Sequence, residues 1–277
     1  GVLRGAGVAQ DAVLSVGLAV PGPVTGDGHV DAVERWLPGL ARADLRAALG
    51  GVAGWPVLVE NDANLAVLGE RWRGTAAGVD DVVLLLAGER FGAGVFLGGR
   101  LLRGAHGGTG ELGVLRLVEG VGDADGVGAV ARRLGAEAVA RAGGRTRAAA
   151  SRGGALFRAV GGDPERVDAE VVFAAARAGD PAAAAVVDAV AARLARVVAV
   201  VASVLDPALV VLGGAVAGAG DVLLPAVERE AAPLCRWPPL LRASALGERA
   251  VVSGAVRLAL DDVAGRLLDL GPAPARA

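Results

Sequence analysis

Short apolar runs, each closed by glycine or a polar knot and followed by helical spacing, constrain this chain's fold more than any other feature. Val13–Val20 reads VLSVGLAV and stops at Pro21, Gly22 and Pro23, the pattern of a buried strand entering a rigid loop. Pro56–Val59 runs straight into Glu60, Asn61, Asp62, Ala63 and Asn64. Leu65, Leu68 and Trp72 then recur at helical spacing, so Asp62 falls on a strand-to-helix junction. Val82–Ala87 is another apolar strand, and Gly94–Leu97 with Leu101 and Leu102 reads as a hairpin turned by Gly98 and Gly99. The second half is more helical. Spacing predicts helices over Val127–Ala142, Asp168–Ala178, Pro181–Leu205 and Asp221–Ala231, a strand over Ala208–Leu212 ending on Gly213 and Gly214, and a final amphipathic helix over Glu248–Leu268. Alternating strands and helices define an α/β class, and Gly74–Asp81 is the best internal boundary.

With 277 residues the chain suits one large domain or two modest lobes. The longest strongly apolar stretch, Val197–Leu205, is about half of the ~20 residues a membrane span needs, so no membrane partner is expected. A single cysteine, Cys235, excludes an intramolecular disulfide and a cysteine-cluster zinc site, and is consistent with a reducing cytoplasm. A net charge of −2 gives no footprint for a nucleic-acid backbone. The absence of lysine excludes a Walker-A lysine, a Schiff base and a lysine general base.

Both asparagines of the chain lie in Glu60–Asn64, packed around one aspartate. A helix cap, worth ~1 kcal/mol, accounts for Asp62 or Asn64 alone. An ionised carboxylate there could equally accept a hydroxyl proton during transfer to an electrophile, and residue types leave both readings open. A second knot, Gly104–Gly113, holds His106, Thr109 and Glu111 among glycines that let backbone approach a ligand; a Gly-rich turn with a solvated Glu is the alternative. His29 reads as an exposed turn residue, and neither histidine has a metal-binding context. Gly88–Gly94 follows a strand as a Gly-rich loop of the sort that can cradle phosphate, but it carries Glu89, which would repel an anion, beside Arg90, which could offset it.

Taken in order, these pieces resemble the ROK family, which unites bacterial sugar kinases with sugar-sensing transcriptional repressors. Val20-Pro21-Gly22-Pro23-Val24 is similar to its Pro-Gly-Pro loop, Glu60–Asn64 to its catalytic segment, and Arg103–Gly113 to its RGAHGxxGExGH stretch. Leu212-Gly213-Gly214 resembles the nucleotide-side Gly motif, and Ser244–Ala250 the family's C-terminal segment. The resemblance implies an actin-like, ribonuclease-H-like two-lobe fold. Residues 1–78 would form a first lobe truncated at its N-terminus and 79–277 the second, with the final helix packing back toward the first and a sugar cleft between them. It implies that Asp62 matches the kinases' general base and that Asn61 and Glu111 bind sugar hydroxyls. His106 and Gly39 join that substrate set, and Gly88, Gly92, Gly213 and Gly214 form a degenerate nucleotide side.

The departures carry as much weight. Nothing before Val13 supplies the family's Asp-x-Gly-x-Thr hairpin, and Glu89 and Arg90 interrupt the second phosphate loop. Val114 stands where a His follows Glu-x-Gly, and Gly120–Ala129 lacks the zinc cysteines, so no zinc is expected and Val114 and Val127 should pack instead. Trp36 precedes Leu37-Pro38-Gly39 in place of an Asn. The expectation is therefore the sugar-sensing effector domain of a ROK-type regulator rather than an enzyme. It would bind a monosaccharide or amino sugar, need no cofactor, form a homodimer or homotetramer, and meet DNA only through an N-terminal domain outside the chain. The alternative is a hexose kinase using ATP, Mg and Asp62 as general base.

Overall fold

A computed structural model describes residues 2–26, 28–30, 39, 44–123, 125–143 and 154–269; Trp36, Leu37 and Pro38 lie outside them. After a single helical turn α1 (Val2–Gly5), strands β1 (Val16–Val20) and β2 (Val57–Asn61) pair in parallel, with α2 (Leu45–Ala53) between them in sequence. Val20, Val24, Val30, Val57 and Val59 make the small core of this sheet. Helix α3 (Asp62–Arg73) starts where β2 ends.

The larger sheet contains β3 (Val82–Ala87), β4 (Phe91–Leu97), β5 (Arg100–Leu102), β6 (Leu209–Gly213) and β7 (Leu240–Ala243), in the order β5-β4-β3-β6-β7. The first three strands are antiparallel, and β3, β6 and β7 are parallel. Gly98 and Gly99, both at positive φ (57° and 75°), make the β4–β5 turn, a conformation that costs glycine little. Side chains alternate between the two faces of β3 and β6. Val83, Leu85, Val210 and Leu212 face the main core, which includes residues of α4 (Val127–Gly143), α5 (Ala155–Ala159), α6 (Ala169–Arg177), α7 (Pro181–Leu205) and α8 (Gly220–Ala231). Val82, Leu84, Leu209 and Val211 face the other way, onto Ala66 and Val67 of α3 and Ala250 of α9 (Arg249–Asp269).

Helices α3 and α9 thus lie between the two sheets. Their backbones approach closely because glycine stands at the crossing: a Cβ at Gly254 would lie 1.7 Å from the Leu65 carbonyl oxygen, and one at Gly69 2.2 Å from that of Ala250. Gly17 of β1 meets Ala255 of α9 in the same way, which sets the small sheet against the final helix. The expected amphipathic character of that helix needs correction. With neighbours on two sides it has no single apolar face: half-buried Arg257 and Asp262 share it with Val252, Val256, Leu260 and Leu267, which remain exposed. Among the described residues no helix is long and apolar enough to cross a membrane.

Candidate functional site

The carboxyl ends of β1 and β2 face β3 and β4 across a cleft of about 510 Å³. Pro21, Gly22, Pro23, Asn61 and Asp62 line one wall, and Leu86, Arg90, Phe91, Gly92 and Glu111 the other. The two polar knots of the sequence therefore meet in one space. Ala63 sits against Gly92 and Gly94; a Cβ at Gly94 would lie 2.1 Å from the Ala63 carbonyl oxygen, so glycine is what lets the α3 N-terminus seat on β4.

The cap of α3 is Asn61, not Asp62 or Asn64. Its Oδ1 accepts from Ala63 N (2.9 Å) and Asn64 N (3.1 Å), and its Nδ2 donates to the Gly22 carbonyl at 2.9 Å, tying the junction to the Pro-Gly-Pro loop. Only one amide hydrogen of Asn61 is left for a ligand. Asp62 is the first helical residue, and its Oδ1 accepts from Ala63 N at 2.8 Å. Burial pushes its carboxyl above the usual range, against the pull of that backbone N–H. Glu111 keeps an exposed side chain at the cleft mouth, yet the wall around it and the nearby Asp62 charge push its carboxyl up as well, opposed by Arg90. Two carboxyl groups beside one guanidinium offer acceptors and donors to the hydroxyl groups of a small polar ligand.

The other predicted site residues scatter. His106 is exposed and does not line the cleft, nor does Gly39, an exposed turn residue at φ 91°. Gly92 lines the cleft, whereas Gly88 lines a second cavity of about 650 Å³. Gly213 ends β6, and Gly214, at φ 83°, leads into a short 3₁₀ turn whose Val216, Gly218 and Ala219 line that second cavity.

Glu89 does not stand as an unopposed charge. It forms a bidentate pair with Arg132 of α4 at 2.6 and 2.7 Å, and this partner holds its carboxyl below the usual range. Arg132 is the partner that offsets it, while Arg90, bridged to Asp125 through its backbone, lines the cleft with Glu111. Val114 is 60 % exposed, so it does not pack in place of a metal, whereas Val127 is buried. The loop is tied instead by Arg193, 8 % exposed on α7. Its Nη2 donates to the Asp123 and Asp125 carbonyls and to Asp123 Oδ1 at 2.6–2.7 Å, and its guanidinium lies 5.5 Å from the ring of Phe91, a cleft residue. Among the described residues no group of three or more His, Cys, Asp or Glu is placed to hold a metal ion. Sequence reasoning missed Arg132 and Arg193, whose partners lie 43 and about 70 residues away. It also passed over Glu60 and Arg103, which stood inside the quoted motifs.

Two sheets with a helix pair between them, and a cleft lined by Asp62 and Glu111, define a two-lobed α/β protein. The ROK family pattern matches residues 4–262, and the chain belongs to that family, whose structures share the actin-like fold. A glucokinase of Thermotoga maritima is 34% identical over 214 residues, covering 75% of this chain and 66% of that protein, so the chain spans about two thirds of its relative's length. The ROK glucokinase of Streptomyces griseus, solved with glucose and AMPPNP, is 26% identical with a TM-score of 0.73, covering 94% of this chain and 86% of that one. A ROK transcriptional regulator homologous to the Escherichia coli MLC protein is also 26% identical, with a TM-score of 0.76, covering 96% of this chain and 66% of the regulator.

Proposed function

We propose that this chain is the effector-binding part of a ROK-type transcriptional regulator, taking a monosaccharide in the Asp62–Glu111 cleft and not phosphorylating it. The wall of the second cavity carries the proposal. Four carboxylates (Glu89, Asp168, Glu170, Glu248) line it against two guanidiniums, Arg132 and Arg177, and both of these are already engaged, with Glu89 and Asp221. A nucleotide bound there would bring several negative charges to a wall whose own balance is negative. The exposed pairs are individually weak and could open, but opening Arg132 releases Glu89 as well. Phosphoryl transfer depends on groups that position and neutralise the phosphates, and general-base help from Asp62 alone supplies only ~10²- to 10⁴-fold. A sensor requires none of those groups; unequal affinity of two lobe arrangements for sugar is enough.

One observation favours the kinase reading: Asp62 keeps the place and environment of a proton acceptor at the cleft, in a chain 34% identical to a glucokinase. A coupled assay with ATP and Mg across glucose, mannose, xylose and N-acetylglucosamine, run beside calorimetry with the same sugars, separates the two. The expected result is heat of sugar binding without turnover, from protein that carries no stoichiometric zinc by metal analysis. Turnover abolished by Asp62→Asn would replace the regulator with the kinase.

A further inference from the structure

We infer that the buried carboxylate Glu60 and Arg103 form a clasp that sets where Glu111 stands relative to Asp62, making both of them positioning residues of the cleft. Glu60 is the last residue before the Asn61 cap and is only 3 % exposed. Its Oε1 accepts from Asn61 N at 3.0 Å and Asn64 Nδ2 at 2.9 Å, and its Oε2 accepts from Arg103 Nε at 2.7 Å. One carboxylate thus holds the β2–α3 junction with one oxygen and the start of the Gly-rich loop with the other.

From Arg103 onward the loop has little freedom. The Arg103 carbonyl accepts from Thr109 N at 3.2 Å, and Ala93 N donates to the Gly110 carbonyl at 3.0 Å. Gly104, Gly107 and Gly110 all have positive φ; a Cβ on Gly107 would lie 2.0 Å from the Val24 carbonyl oxygen, and one on Gly110 1.8 Å from that of Ala93. The loop is therefore a closed, close-fitting unit that delivers Glu111, and Arg103 is its side-chain anchor to the opposite wall.

A purely structural role explains this arrangement poorly. Glu60 gives up its water while Arg103 keeps 46 % of its side chain exposed, so the pair sets a partly solvated charge against the cost of a buried carboxylate and contributes little net stability. Here the arrangement also leaves Asn64 Oδ1 buried without a protein partner, since the Asn64 amide is turned toward Glu60. What the clasp does secure is a fixed register between two walls that come from segments 43 residues apart in sequence. A ligand held by Asp62 on one wall and Glu111 on the other needs that register.

This inference rests on the proposed sugar site for its functional half, and the test keeps the two separable. In the full chain, Arg103→Met, Arg103→Lys and Glu60→Gln are compared by amide hydrogen exchange and by calorimetry with glucose, together with Glu111→Gln and the Arg103→Met/Glu111→Gln double variant. Expected are exchange at least about tenfold faster over residues 104–111 in Arg103→Met, with the α7 core unchanged, and partial return of protection in Arg103→Lys. Glucose affinity should fall about 10- to 100-fold in Arg103→Met, yet scarcely further when that change is added to Glu111→Gln, because Arg103 acts through Glu111. Should Arg103→Met fail to fold, Glu60→Gln carries the exchange test, since it keeps the shape and removes the charge. Unchanged exchange over residues 104–111 overturns the clasp, as does an affinity loss that persists in full without Glu111. Where the unmodified chain binds no glucose, glucose is removed as the ligand of the sugar reading, and the exchange data alone decide the clasp.

Discussion

Asp62 shows what burying a carboxyl group at the cleft does to stability. Burial raises its carboxyl above the ordinary 3.8, so the folded state favours the protonated form relative to the unfolded chain. That contribution to stability is complete below pH 3.8 and is lost as pH rises through the raised value. Asp62→Asn keeps an oxygen for the Ala63 N–H and removes the charge. We expect it to melt higher than the unmodified protein at pH 7, by roughly 2–4 °C for a gain of about 1 kcal/mol, with the gap closing toward pH 4. Equal melting points at pH 7, measured by calorimetric scans, would mean that the charge is well solvated. At this scale the sequence was legible where chemistry is local and opaque where it is not. The knot at Glu60–Asn64 stood out by composition. Which of its members caps the helix did not, since Asn61, Asp62 and Asn64 all suit a cap, and only the Gly22 carbonyl decides for Asn61. The Glu89 partner could not be read at all, because an ion pair across 43 residues leaves no trace in spacing.

Elements were easier to read when packing reinforced propensity. Pro181–Leu205 and Val82–Ala87 form over the residues that periodicity predicts, because Asp180 caps the former and both faces of the latter are buried. Strand β7 went unread: it has four residues, follows Pro238 and Pro239, and is a strand because β6 offers it an edge. Helix α2 also escaped, with Gly50 and Gly51 in its interior and its start set by the Asp44 carboxylate, which accepts from Ala47 N at 2.8 Å. Glycine inside α9 gives a prediction with a sign change along one helix. Gly254→Ala must push Leu65 backbone away and should cost about 1–3 kcal/mol by overpacking, whereas Gly265→Ala meets nothing within 4 Å and should gain up to about 1 kcal/mol of helix propensity. Denaturant melts of the two variants check this, and a tolerated Gly254→Ala would show that the α3–α9 crossing is looser than described.

On the scale of the molecule, α3 and α9 make the joint between the two sheets. Buried Glu70 of α3 accepts from Thr75 N at 2.6 Å, from Leu246 N at 3.0 Å and from Ser244 Oγ, so the C-terminal end of α3 is locked to the loop that starts α9. The N-terminal end of α3 carries Asp62 into the cleft. That end is held too, by Ala63 seated against Gly94 of β4 and by the Glu60–Arg103 pair, so a ligand that bridges the cleft narrows it only by small shifts around ties that persist. A sugar that contacts both walls binds a narrowed cleft more tightly than a wide one, and this difference in affinity is the whole of what it can use to shift the population. We accordingly expect sugar to stabilise and to compact the protein together. At a free concentration about 100 times the dissociation constant the gain should be about 2.7 kcal/mol, or roughly 5–10 °C in melting temperature, accompanied by a smaller radius of gyration in small-angle scattering. Both effects should shrink in Arg103→Met, which leaves Glu111 less well placed to meet the ligand. Stabilisation of full size with an unchanged radius of gyration would mean that the cleft is already closed without ligand. Sugar binding could then transmit no change of lobe angle to an attached DNA-binding segment.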